Sequence, residues 1–123
     1  MSFYTVTPCR ILDTRDPVGT WGGPALEAGM DRAFPIRGRC GIPETARAVA
    51  VNLTVTQPSA AGYLTVFPAG QPVPRTSSAN YLAGQTRGNN AVLLLNGAGE
   101  MAVRCSQVSG TAHFILDVSG YFE

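Results

Sequence analysis

The sequence predicts an all-β domain, an antiparallel β-sandwich of about nine strands with almost no helix. Two long alternating stretches carry that prediction. In Ala112–Phe122, Ala112, Phe114, Leu116, Val118 and Phe122 fall on one side, and His113, Ile115, Asp117, Ser119 and Tyr121 on the other. In Ala48–Thr56, Val49, Val51, Leu53 and Val55 alternate with Ala50, Asn52, Thr54 and Thr56. A period of two puts successive side chains on opposite faces, so each stretch reads as a strand over a core. Turn signals recur between such runs at roughly eight- to twelve-residue spacing, in a chain with Gly 14 and Pro 9 spread along it.

The remaining elements follow in chain order. Phe3 to Val6 is a short strand closed by Thr7-Pro8, and Cys9 to Arg15 begins as a strand and ends polar. Asp16 to Pro24, rich in Gly and Pro, is a loop. Arg32 to Ile36 alternates weakly, and Pro35 within it suits an edge. Pro43 to Ala46 is expected to make one helical turn, and Gln57 to Gly62 to fold the first long strand back onto Tyr63–Phe67 as its pairing partner. Ser77 to Leu82 is a short polar strand, and Gly84 to Asn90 a loop. Ala91 to Leu95 is apolar at every position and reads as the most buried strand. Glu100 to Cys105 points Met101, Val103 and Cys105 inward, with a hairpin on either side.

At 123 residues the chain is one domain, residues 1–123, with enough length for a real core. A formal charge of +1 gives no pull toward nucleic acid or anionic membranes. No run approaches the ~18 apolar residues that membrane insertion needs. Met1-Ser2-Phe3-Tyr4 lacks the regions of a signal peptide, so the chain is used without that export route or is a module of a longer secreted precursor. All nine basic residues are Arg, which codon composition explains better than function does. Cys9, Cys40 and Cys105 have no zinc-like spacing, and no metal or cofactor is predicted. One disulfide plus one buried thiol fits the odd count and an oxidising compartment. Cys9–Cys40 is favoured because both flank loops near strand ends; Cys40–Cys105 is the rival pairing.

Several phrases occur together in a recognisable order: Thr7-Pro8-Cys9-Arg10-Ile11-Leu12-Asp13-Thr14-Arg15, Cys40-Gly41-Ile42-Pro43, Val51 to Thr56, Ala61 to Pro68, Gly84 to Asn90, and Asp117 to Phe122. In combination the chain resembles a β-rich accessory module of secreted bacterial cell-surface proteins, found singly or in tandem and often beside hydrolase or peptidase domains. The resemblance implies a non-catalytic module that holds its parent protein to cell-wall or extracellular polysaccharide. Trp21 departs from it, standing where such modules carry a small or aliphatic residue before Gly-Gly-Pro.

Two patches are candidate binding sites. Asp13, Thr14 and Arg15 at a strand end offer a carboxylate, a hydroxyl and a guanidinium for vicinal hydroxyls or an anion. Trp21, in a loop of small residues, is a candidate platform for a sugar ring or an interface anchor. Against this, Asp13 and Arg15 equally suit a network that locks the loop, and Trp21 equally suits a cap on the core. Tyr81, Arg87 and Asn89 form the second patch, where a turn role for the Asn residues competes. Asn52 and Asp117 lie mid-strand on outer faces, and the glycosylation pattern Asn52-Leu53-Thr54 is discounted because it lies inside a strand.

His113 has no nucleophile elbow near it, and Asp117 is too far along the same strand to orient it, so no enzyme is predicted. The expected function is lectin-like, non-catalytic binding of a polysaccharide or glycan at an extracellular or cell-surface location. The alternative is a structural assembly module that forms a homo-oligomer or decorates a larger surface or virion particle. Its support is the low charge of the outer positions Ala50, Thr54, Thr56, Thr65 and Ile115.

Overall fold

The computed structural model describes all residues, Met1–Glu123. Nine strands run in order: β1 (Phe3–Asp13), β2 (Leu26–Glu27), β3 (Asp31–Pro35), β4 (Ala48–Thr56), β5 (Gly62–Pro68), β6 (Ala79–Tyr81), β7 (Arg87–Leu94), β8 (Glu100–Gln107) and β9 (Thr111–Phe122). They form two antiparallel sheets, one ordered β1-β9-β4-β7 with β2 extending the β9 edge, the other β3-β8-β5-β6. The two alternating stretches lie side by side at the centre of the longer sheet. Val49, Val51, Leu53 and Val55 of β4 and Ala112, Phe114, Leu116 and Val118 of β9 all face the core. Against them pack Phe34, Leu64, Met101, Val103 and Cys105 from the other sheet. The fold class is as the sequence predicts.

Several local expectations are corrected. β1 runs unbroken through Thr7-Pro8, and β8 forms no hairpin, because β7 and β9 on either side of it in sequence belong to the other sheet. β4 does not pair with β5. Gln57 takes a φ of 53° and Pro58 offers no N–H, so the chain leaves the first sheet there and β5 joins β8 and β6 in the second. Residues 43–46 make a single turn closed by Ala46 N–H donating to the Pro43 carbonyl at 3.1 Å, not a helical one. Residues 87–90 lie in β7 rather than in a loop. The register of β9 shifts around Ser119, so Tyr121 pairs with core-facing Val49 and turns inward, while Phe122 pairs with Ala48 and turns outward. One extra residue in a strand reverses every face beyond it.

One more correction bears on function. Ala91–Leu95 is not the most buried strand; β7 is an edge strand, with Leu93 buried but Val92 60% and Leu94 58% exposed. Thr65, expected on an open outer face, is buried instead. The segment before β6 folds back over it, Thr65 Oγ1 donating to the Thr76 carbonyl at 2.8 Å. Beside it Phe67, Ala69 and Ala102 form a small second core on the outer side of the second sheet.

Candidate functional site

Each predicted site residue except Arg87 uses its polar atoms inside the molecule. The Asp13 carboxylate is 5% exposed and accepts three bonds from Arg15: from the backbone N–H at 3.0 Å, Nε at 3.0 Å and Nη2 at 2.8 Å. That guanidinium fork, outweighing the cost of burial, holds the Asp13 carboxyl below its ordinary range. The arrangement locks the turn that ends β1. The Thr14 hydroxyl accepts from Phe114 N–H at 2.8 Å and lies 2.9 Å from His113 Nδ1. Thr14 is 2% exposed, and Asp117 bonds Arg10 rather than His113.

Trp21 caps the core. Its Nε1–H donates to the Pro35 carbonyl at 2.8 Å, and the Arg39 guanidinium covers its ring at 4.0 Å. Arg39 also donates to the Ile11 carbonyl at 3.1 Å and is followed by Cys40, whose disulfide to Cys9 spans a Cα–Cα distance of 5.8 Å. The ring is therefore pinned between β1, β3 and this loop and does not stand out as a platform. The bond is Cys9–Cys40, leaving Cys105 as a buried thiol. Arg32, which sequence reading passed over, holds the same loop from below. Its guanidinium donates to the carbonyls of Gly19, Gly23 and Pro24 and lies 4.6 Å from the centroid of the Phe34 ring.

The second patch is also divided. Tyr81 is 4% exposed, its hydroxyl donating to Gln107 Oε1 at 2.7 Å beside Cys105, and burial pushes its phenol above the ordinary value. Asn89 points to the core side of β7 and donates from Nδ2 to the Ser78 carbonyl at 2.8 Å. Only Arg87 is exposed without a partner, at the rim of a shallow depression of about 190 Å³. Arg87 and the Asp13–Arg15 turn lie at the same end of the long sheet but on opposite edges, about 14 Å apart across three strand spacings. The two patches do not join.

What the structure brings together is the outer face of the long sheet. Strand pairing sets four rows across β1, β9, β4 and β7. The first is Phe3, Phe122, Ala48 and Leu94; the second is Thr5, Gly120, Ala50 and Val92. Neither row contains a charge. The Phe3 ring lies over Gly120, where any Cβ would strike it at 2.5 Å, and its centroid is 4.8 Å from that of Phe122. The third row is Arg10, Asp117, Asn52 and Asn90, its two charges neutralising each other through Arg10 Nε donating to Asp117 Oδ1 at 2.9 Å. The fourth is Asp13, Ile115, Thr54 and Gly88. Beside β7 a groove of about 450 Å³ runs between Asn90–Leu94 and the Pro74–Ser78 segment.

Sequence reading found the low charge of this face in Ala50, Thr54 and Ile115 but missed its apolar corner. The missing signal lies at the bulge: only with Phe122 turned outward does it meet Phe3, Ala48 and Leu94.

No protein-family model and no curated protein sequence matches the chain. Among solved structures, the coat protein of Tobacco streak virus is similar at a TM-score of 0.40 and 14% identity, over 95% of this chain and 85% of that chain. Likeness at that level bears on neither the fold nor the function.

Proposed function

We propose that this domain is a non-catalytic assembly module that associates with further copies of itself through the β7 side of the outer face of its long sheet. One observation carries this reading. Ala91–Leu95 has the continuous apolar pattern of a strand covered on both faces, yet the single chain covers one face and leaves Val92 and Leu94 open. These two side chains continue into Ala48, Phe122 and Phe3, making a contiguous apolar corner rather than scattered exposed residues. A second copy suits it because the rows nearest the corner are uncharged and the next row is internally neutral. Two such faces meet without like-charge repulsion.

Aromatic and aliphatic groups at the corner supply the contact area, while Asn52 and Asn90 at its border offer amides to a polar rim. The Cys9–Cys40 bond agrees with an extracellular or otherwise oxidising location, where such a bond persists. Polysaccharide binding draws less support, since Asp13, Trp21, Tyr81 and Asn89 already have partners within the chain. The test is solution mass across protein concentration for the wild type, Leu94→Lys and Val108→Lys. Val108 is 91% exposed but lies in the turn between β8 and β9, away from the corner. Association that is lost in Leu94→Lys and kept in Val108→Lys supports the reading; a wild type that stays monomeric at every concentration overturns it.

A further inference from the structure

We infer that the contact between copies includes direct backbone pairing: the open edge of β7 joins β7 of a second copy antiparallel, about a two-fold axis at Ala91. This deepens the assembly reading and rests on it. The backbone pattern shows which groups are available. Leu95 N–H donates to the Arg47 carbonyl at 2.9 Å, which sets the hydrogen-bonded pairs of the β4–β7 ladder at Leu93–Val49, Ala91–Val51, Asn89–Leu53 and Arg87–Val55. The alternate residues Gly88, Asn90, Val92 and Leu94 direct their N–H and C=O groups away from β4, and β7 has no other strand neighbour.

Edge strands in monomeric proteins are ordinarily blunted by proline, charge, a bulge or shortness. Gly88–Leu94 has none of these: no proline, no charged side chain and an unbroken register with β4. A groove of about 450 Å³, walled on its far side by Val66, Pro68, Pro74 and Ser78, leaves space along Asn90–Leu94.

The segment is complementary to itself. Pairing centred on Ala91 sets Gly88 of one copy opposite Leu94 of the other and Asn90 opposite Val92. Each of the four resulting hydrogen-bonded pairs exchanges two bonds. Glycine leaves room for the leucine side chain at the ends. Arg87 falls opposite Leu95, so no two like charges meet. The two long sheets, five strands each with β2, then become one ten-stranded sheet, with Val92 and Leu94 of both copies merged into one continuous apolar face that the outer face of a further pair of copies covers.

The experiment combines residue-resolved amide exchange on the wild type, at low and high concentration, with solution mass for wild type and Val92→Pro. The Val92 N–H faces the open edge, so proline removes an intermolecular donor while leaving the β4–β7 ladder its bonds. Edge pairing predicts at least tenfold slower exchange at Gly88, Asn90, Val92 and Leu94 in the associated form, and at least tenfold weaker association for Val92→Pro. Association with these four amides still exchanging freely overturns the edge pairing and leaves contact through the side chains of the outer face. A wild type that never associates overturns both readings. The exchange measurement needs no variant and decides the matter even where Val92→Pro does not fold.

Discussion

Replacing Asp13 by Asn tests whether the end of β1 is locked by a buried carboxylate. The substitution keeps an oxygen for the Arg15 N–H but removes the negative charge that receives Nε and Nη2 at 3.0 and 2.8 Å. Hydrogen bonds to charged groups contribute about 1.5–3 kcal/mol each. The Arg15 side chain is 44% exposed, so its guanidinium returns to water when released and leaves no stranded charge. A loss of about 2 kcal/mol is therefore expected, a fall in Tm of roughly 6–10 °C for a domain of this size. The pH dependence follows from the lowered carboxyl of Asp13. A group whose folded-state pKa is depressed contributes stability above its unfolded value, and that stability is lost as pH falls through the folded value. The gap between wild type and Asp13→Asn should be full at neutral pH and begin to close below 3.8, the ordinary value for the carboxyl. Thermal melting monitored by circular dichroism from neutral to strongly acid pH measures both. Equal melting at neutral pH, or a gap that does not narrow in acid, refutes the lock.

Three further expectations concern the scaffold. Arg32→Ala removes the donor of the Pro24 carbonyl and a second donor from the Gly19 and Gly23 carbonyls, and uncovers Phe34; it should cost about 1–2 kcal/mol in denaturant unfolding. Lys, lacking the fork, should recover less than half of that loss. Breaking Cys9–Cys40, which closes a 31-residue separation, by double substitution to Ser should cost about 3–4 kcal/mol in the same assay. Gly62→Ala places a Cβ against the Ser106 carbonyl at the β5–β8 pair and should lower Tm by several degrees, about 1–3 kcal/mol, where Gly70→Ala, in open space, does so only through its φ of 82°.

Much of the scaffold was legible because its signals are local. The alternation of Ala48–Thr56 and Ala112–Val118 names the buried faces correctly, and the turn signals delimit most strands, though β1 runs unbroken through Thr7-Pro8 and Leu26–Glu27 adds a strand where a turn was expected. What was not legible depends on partners distant in sequence. Nothing near Gln57 distinguishes a hairpin from a crossing to the second sheet, and only the left-handed conformation at Gln57 settles it. The extra residue at Ser119 leaves the local apolar pattern intact while reversing Tyr121 and Phe122. An apolar run such as Ala91–Leu95 reports that both faces favour burial, not whether the cover comes from the same chain. The internal roles of the candidate site residues were hidden for a related reason. Asp13, Trp21 and Tyr81 are types that bind ligands, yet Arg15, the Pro35 carbonyl and Gln107 had already engaged them, and Arg32 and Arg39, which hold the loop, carried no motif.

The most direct test of the account is sedimentation equilibrium of the intact, disulfide-bonded protein from low to high concentration, beside Leu94→Lys. Association through the β7 side predicts that the wild type rises from 12.9 kDa to at least twice that mass, while Leu94→Lys stays at 12.9 kDa and still melts in one cooperative transition. A wild type that remains at 12.9 kDa throughout, or a Leu94→Lys variant that associates as the wild type does, contradicts it.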